Sequence, residues 1–195
     1  MEIVLVRHAS TAWSGVRYCG FSDPPLSPTG VGEARRLAAS LAGDLPRDAR
    51  VISSPSRRAV STASAIADAA RLSGVALDDR WREADVGLAE GRTFDELAAI
   101  APEIAAALAA GELEIDWPGG ESHASLVARV SAAWSDLLVE GRPAVVVTHA
   151  GPLLHACALA GGRAPSRDDL VAPATVRRIN LPARRRGTTV VGSTA

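Results

Sequence analysis

Two histidines stand at equivalent places in this chain. Ile3 to Val6 is a continuous apolar, largely β-branched run leading into Arg7-His8, and Ala144 to Thr148 is a second run leading into His149. Such runs read as strands buried on both faces of a parallel sheet. Ligands of these sheets bind beyond the carboxyl ends of the strands, so both imidazoles and the Arg7 guanidinium are expected at one edge. A third segment, Ser53-Ser54-Pro55-Ser56-Arg57-Arg58, reads as a short strand followed by a cap-then-proline helix start. With Ser54 as the cap, Arg57 and Arg58 fall in the first turn, where the helix dipole and the free N–H groups favour anions. A bound phosphate removes that conflict, because it accepts from amides and guanidinium alike. Arg57 is expected to face solvent and Arg58 to face the site. Ala150-Gly151-Pro152 follows the same logic: Gly151 permits close backbone approach, and the next helix can turn its N-terminus to an anion.

Arg7, His8, Arg58 and His149 together suit a phosphoryl group. Its transition state spreads charge over three equatorial oxygens, and its catalysis is chiefly positioning and electrostatic stabilisation. Fixed arginines supply that stabilisation without a metal. An acid must also protonate the leaving oxygen and then activate water. Glu83, in Trp81-Arg82-Glu83-Ala84-Asp85, follows a short strand-like segment and has apolar neighbours, so partial burial would raise its pKa usefully. Asp85 is its competitor, and a surface salt bridge with Arg82 is the plain alternative. No carboxylate cluster suits Mg²⁺, and Asp78-Asp79 and Asp168-Asp169 read as solvated turns. Cys19 and Cys157 lie in no zinc-ligand spacing and read as free thiols. Neither a metal nor a cofactor is expected.

The elements that must position these groups are legible too. Ser27-Pro28 opens a helix over Val31, Ala34, Leu37, Ala38 and Leu41, and Ala59 to Ala67 marks the next. Thr93 and Glu96 have the capping-box spacing, Pro102 interrupts the helix that follows, and an alanine-rich segment runs to Ala110. Trp117-Pro-Gly-Gly120 reads as a loop, and Ser122 starts a long helix with Leu126, Val127, Val130, Trp134, Leu137 and Leu138 on one stripe. Pro152 to Leu159 is a helix, and Thr175 to Asn180 and Thr188 to Val191 read as strands around Arg184-Arg185-Arg186. Strands alternating with helices imply an α/β fold with a mainly parallel sheet. With 195 residues, no repeat and no linker, residues 1–195 are expected to form one domain.

Composition narrows the partners. The chain is 47% hydrophobic and 22% charged, with a net charge of -1, which predicts neither nucleic-acid nor membrane binding. Lysine is absent, so any phosphate clamp must use arginine or histidine. Arg184 to Arg186 read as a solvated rim. The opening apolar run is too short for a signal-peptide core, and no stretch of about 20 apolar residues is present, so a cytoplasmic protein is expected.

The same residues resemble the signature of the histidine phosphatase superfamily, which includes the phosphoglycerate mutases. Arg7-His8-Ala9-Ser10-Thr11 is similar to its Arg-His-Gly motif, Ser53 to Ala59 to its second arginine motif, Glu83 in Arg-Glu-Ala-Asp-Val-Gly to its proton donor, Val-Val-Thr-His149-Ala-Gly to its second histidine motif, and Pro118 to Ser122 to a further common segment. The resemblance runs in order along nearly the whole chain. It implies a three-layer α/β/α sandwich. His8 would be the nucleophile that forms a phosphohistidine, Glu83 the acid and base, and Arg7, Arg58 and His149 the phosphoryl ligands. Ala9 replaces the motif glycine, and Ser14 stands where an asparagine is common, which implies weaker anchoring rather than inactivity. Ser14, Gly20, Phe21, Ala150 and Gly151 are the expected secondary contacts. Tyr18 to Leu26 resembles the matching loop of α-ribazole phosphatases of cobalamin synthesis and of small broad-specificity phosphatases. The resemblance therefore implies a metal-independent phosphomonoesterase acting on a small phosphate ester, with a cofactor-dependent phosphoglycerate mutase as the alternative. Beyond these motifs, His123 is placed either at the substrate or on the surface, and His155 reads as structural. The Trp117 loop and the alanine-rich segment before it are candidates for a lid or for the contact of a homodimer.

Overall fold

The structure is a computed structural model and describes residues 1–182. Its centre is a five-stranded sheet of β1 (Glu2–Arg7), β2 (Arg50–Ser53), β3 (Ala76–Leu77), β4 (Ala144–Thr148) and β5 (Val176–Asn180), in the order β3-β2-β4-β1-β5. The first four run parallel and β5 closes one edge antiparallel. Alternation along the strands assigns their side chains to two faces. Ile3, Leu5, Ile52 and Val146 pack with α5 (His123–Glu140) and α6 (Ala150–Gly161). Val4, Val6, Val51, Val145 and Val147 pack on the other face with α1 (Pro28–Leu41) and α2 (Arg57–Ala70). This is the expected three-layer α/β/α arrangement. Each fully buried aliphatic side chain of β1 contributes about 1.5–3 kcal/mol by burial, which fixes the strand that carries Arg7 and His8.

A third, smaller cluster lies at the carboxyl edge of the sheet. Val86, Ala89, Leu97 and Ala101 pack there with Tyr18 and Trp117 beneath α3 (Phe94–Ile100) and α4 (Pro102–Ala110). The Thr93–Glu96 capping box opens α3, and Pro102 separates it from α4. Ser27 caps α1 and Ser122 caps α5 through their side chains.

The structure corrects three local expectations. Helix α2 starts at Arg57 with Ser56 as its N-cap, not Ser54; the Ser54 hydroxyl accepts from the Ser56 amide and meets His149. Helix α6 begins two residues early, with His149 itself as the N-cap. Asp169 is not solvated: it is buried, accepts two hydrogen bonds from Arg163 and completes a capping box with Ser166. The expected strand Thr188 to Val191 and the Arg184 to Arg186 run lie outside the described residues. Cys19 and Cys157 are free, and among the described residues no helix is long and apolar enough to cross a membrane.

Candidate active site

Strand pairing builds the site. Arg7 stands opposite Thr148 in the β1–β4 register, so His8 and His149 emerge side by side beyond the strand ends. Their ring centroids lie 4.9 Å apart at 64°. The chain leaves β1 toward α1 and β4 toward α6, on opposite faces of the sheet, which opens a crevice between the two exits.

His8 is buried, and its Nδ1 lies 2.8 Å from the Ala9 carbonyl. Only a protonated Nδ1 can donate there, which leaves the Nε2 lone pair free. Burial, followed by the charges of Arg58 and Arg7, lowers the His8 pKa to about 3, against the raising effect of the Ala9 hydrogen bond. The neutral ring is therefore the form present near neutrality. The Ala9 amide in turn donates to Thr62 Oγ1 on α2, and the Ala9 side chain is fully enclosed, so alanine is accommodated at this position.

The hydrogen bonds of the cations run to carbonyls, and Asp23 adds a longer ion pair to Arg58 at 3.8 Å. Arg58 is 1% exposed; its two Nη atoms donate to Ser22 O (2.7 Å) and Gly20 O (2.9 Å). Arg7 donates to Val171 O at 2.6 Å. Arg57 points to solvent, as expected, and its amide donates to Asp23. Both guanidinium groups of the site, Arg7 and Arg58, keep a buried, unpartnered Nε, and His149, fully buried, keeps an unpartnered Nδ1. The His149 Nε2 lies 2.8 Å from Ser54 Oγ. Buried polar atoms are normally satisfied, so three orphan nitrogens around one imidazole describe a receptor for an oxyanion.

Glu83 lies against these groups. Its carboxyl accepts from the amides of Ala84, Ala150 and Gly151, each at 3.1 Å. The N-terminus of α6 thus faces the Glu83 carboxylate rather than a free anion site, and a Cβ on Gly151 would collide with that carboxylate. Burial raises the Glu83 pKa above the usual carboxylate range; the Ala84 amide, Arg7 and Arg58 oppose the shift in part. Arg82 pairs with Asp79, and Asp85 accepts from the Gly87 amide, so neither competes for this role.

Arg7, His8, Ser14, Glu83, Ala150 and Gly151 line a cavity of about 380 Å³. Ser14 Oγ accepts from the Thr11 amide at 3.0 Å, pinning the loop after His8. Gly20 and Phe21 do not reach the cavity. Gly20 serves through its carbonyl, and a Cβ there would strike the Ala84 carbonyl. The Phe21 ring is exposed, because Glu90 holds the backbone amides of both residues. His155, read as structural from sequence, lies on the cavity wall, as does His123. Among the described residues no group of three or more His, Cys, Asp or Glu side chains could hold a metal ion.

Several positioning residues escape sequence reasoning. Arg129 of α5 binds Glu121 bidentately and donates to the carbonyls of Arg80, Arg82 and Glu83. Thr148 Oγ1 donates to Trp81 O at 2.7 Å. Together they clamp the Glu83 segment to β4. The only available signal was Arg129 eight residues after Glu121 on a predicted helix.

The sequence profile of the histidine phosphatase superfamily (branch 1) matches residues 3–192. The chain belongs to this superfamily. As a histidine phosphatase it is an enzyme of the phosphate-monoester hydrolase class. It is 34% identical to phosphoserine phosphatase 1 of Hydrogenobacter thermophilus over 83% of this chain and 77% of that one. It is 36% identical to a probable phosphoglycerate mutase, GpmB, of an Enterobacter species over 76% and 69% of the two chains. Among solved structures it resembles a mycobacterial glucosyl-3-phosphoglycerate phosphatase crystallised with VO3 (TM-score 0.79, 26% identity, 91% and 90% covered). It also resembles TTHB049 of Thermus thermophilus (TM-score 0.68, 33% identity, 94% and 95% covered).

Proposed function

We propose that this histidine phosphatase hydrolyses small organic phosphate monoesters through a phosphohistidine on His8, without a metal ion. The observation that carries the reading is the set of orphan nitrogens, Arg7 Nε, Arg58 Nε and His149 Nδ1, next to an imidazole whose Nε2 is free. His8 Nε2 attacks phosphorus, the P–O bond to the alcohol breaks, and protonated Glu83 gives its proton to the departing oxygen. The Glu83 carboxylate then takes a proton from water, whose oxygen attacks phosphorus. The P–N bond breaks and inorganic phosphate leaves. Arg7 and Arg58 neutralise the equatorial oxygens throughout. His149 joins them when the Ser54 hydroxyl donates to its Nε2, since the ring then carries its proton on Nδ1. The vanadium oxyanion in the mycobacterial relative's structure agrees with an oxyanion receptor here.

Hydrolysis fits better than mutase chemistry. A phosphoglycerate carries a carboxylate that needs its own cation. Arg17, the further arginine of the cavity wall, is already bound to Gly91 O and Glu96. The substrate panel includes phosphoserine, the phosphoglycerates and, for the resemblance of Tyr18 to Leu26, α-ribazole phosphate.

The test is rapid acid-free quenching after mixing enzyme with p-nitrophenyl phosphate. An acid-labile phosphoryl group on His8, EDTA-resistant turnover, and a loss of ~10⁴-fold or more in His8→Ala are expected. Turnover retained in His8→Ala would sink the mechanism. Interconversion of 3- and 2-phosphoglycerate faster than phosphate release would replace the phosphatase with the mutase.

A further inference from the structure

Part of the cavity is chemically unlike the charged groups around His8. Leu108, Ile115, Trp117, Leu126 and Leu154 wall it, and the polar exceptions include two stacked histidines. The His123 and His155 ring centroids lie 4.9 Å apart at 51°. His155, on α6, is 3% exposed; His123 is the first residue of α5, and its amide is tied to Asp116. The Nε2 atoms of both are buried without a partner. A core histidine kept for packing finds a hydrogen-bond partner, yet neither Nε2 has one here, although both residues line the cavity.

Resting on the phosphatase reading above, we propose that the His123–His155 pair is a specificity subsite. It receives an uncharged hydroxyl on the leaving group of a phosphate ester whose body is otherwise apolar. The walls choose the body: an aromatic or aliphatic skeleton covers them, whereas a sugar or glycerate leaves its hydroxyls unpaired against leucine and tryptophan. The pair chooses the single polar group. Burial, with His123 and Arg129 nearby, lowers the His155 pKa to about 4, so a neutral ring meets the ligand. A neutral imidazole offers one donor and one acceptor, which a hydroxyl answers and a carboxylate does not. Glu112 on the same wall and Glu114 near His155 further oppose an anion.

Phenyl phosphate and its 3- or 4-hydroxymethyl and 3- or 4-carboxy derivatives make the test. Wild-type kcat/KM should favour one hydroxymethyl ester over phenyl phosphate by about tenfold and should not favour the carboxy esters. His155→Leu should collapse that ratio toward one, chiefly through KM, and His155→Gln should restore part of it. Equal rates for all esters in the wild type, a preference for carboxylate, or a His155→Leu loss spread evenly over every ester would each overturn the subsite. If no ester is turned over and no phosphohistidine forms, the catalytic reading fails instead. The subsite is then decided by binding: the His155 Nε2 resonance should shift with hydroxymethylphenol and not with cresol, and equal shifts would end the proposal.

Discussion

The two ends of the cavity are built on different plans. At the phosphate end, Arg7, His8 and His149 leave adjacent strand ends, and Arg58 and Glu83 are clamped against them by backbone groups; of these, Arg7, His8 and Glu83 line the cavity. Each of these side chains is polar, largely withdrawn from solvent and fixed by at least one hydrogen bond. At the other end, α4, the Trp117 loop, α5 and α6 each contribute one or two apolar side chains, with two histidines among them. On the phosphatase reading proposed above, one end touches only the group that every phosphate ester shares and treats all of them alike. On the same reading, the other end touches what differs. Substitutions at the two ends should therefore separate into uniform and substrate-selective losses.

The largest uniform loss after that of His8 belongs to Glu83. Glu83→Gln keeps one acceptor oxygen for the amides that Glu83 binds, turns an NH2 toward the rest, and has no proton to give or take. General acid–base catalysis accounts for about 10²–10⁴-fold. An alkyl phosphate should lose that much in kcat, and p-nitrophenyl phosphate should lose less in its first step, since its phenolate leaves unaided. The second step still lacks its base, so a burst of nitrophenol and an accumulated phosphohistidine are expected. The pH profile follows from the two shifts. His8 must be neutral, so the rate falls on the acid side only as pH drops toward about 3. Glu83 must begin protonated, so the rate falls as pH rises through its raised pKa, and Glu83→Gln should remove that alkaline limb. An unchanged limb in the variant would assign it to another group.

Ser54→Ala is expected to act in the same uniform way but more weakly. Ser54 touches His149, not the ester. Losing the hydroxyl frees the imidazole to take the other tautomer, with Nδ1 unprotonated and facing an oxyanion. A fall of about tenfold or more in kcat, similar for all esters, is expected, as for other groups that orient a functional histidine. Ser54→Thr should recover most of it. A change in KM alone, for some esters only, would place Ser54 in substrate selection.

The contrast between the ends also governs what was legible from residue types. The meeting of His8 and His149 was legible because β-branched runs announce buried strands, whose ends bring the two rings together. The inward turn of Arg58 was legible because a cation in a first helical turn breaks a rule, even though the cap proved to be Ser56 and not Ser54. The anion expected at the start of α6 proved to be the chain's own Glu83. Spacing says that an anion belongs there, not which one. Gly20 and Phe21 were placed in the site by motif position, but only the Gly20 carbonyl serves it, through Arg58. The far end left no such marks. Leu108, Trp117 and Leu154 look like any core residue in sequence, and His155 sits on an apolar helix where a packing role is the ordinary expectation. Only the long-range closure of four elements shows that these side chains face a cavity.

The smallest expected effect breaks the comparison from the far side. Trp117 is half-buried, stacks obliquely on Tyr18 at 5.8 Å and closes the cavity wall. Trp117→Ala removes apolar surface that only a bulky leaving group covers. A contact of this kind is worth about 1–3 kcal/mol of discrimination, so kcat/KM for an aromatic ester should fall by about tenfold, mostly through KM. A small alkyl phosphate, too short to touch Trp117, should show a fall no larger than the loss of folded protein explains, which a thermal melt measures. Because Trp117 also packs against the cluster that holds Val86 and Leu97, some loss of stability is expected whichever ester is used. If the losses for large and small esters nevertheless coincide at equal folded concentration, the two ends are mechanically one. The Trp117 loop then positions the Glu83 segment it packs beside, rather than choosing the ester.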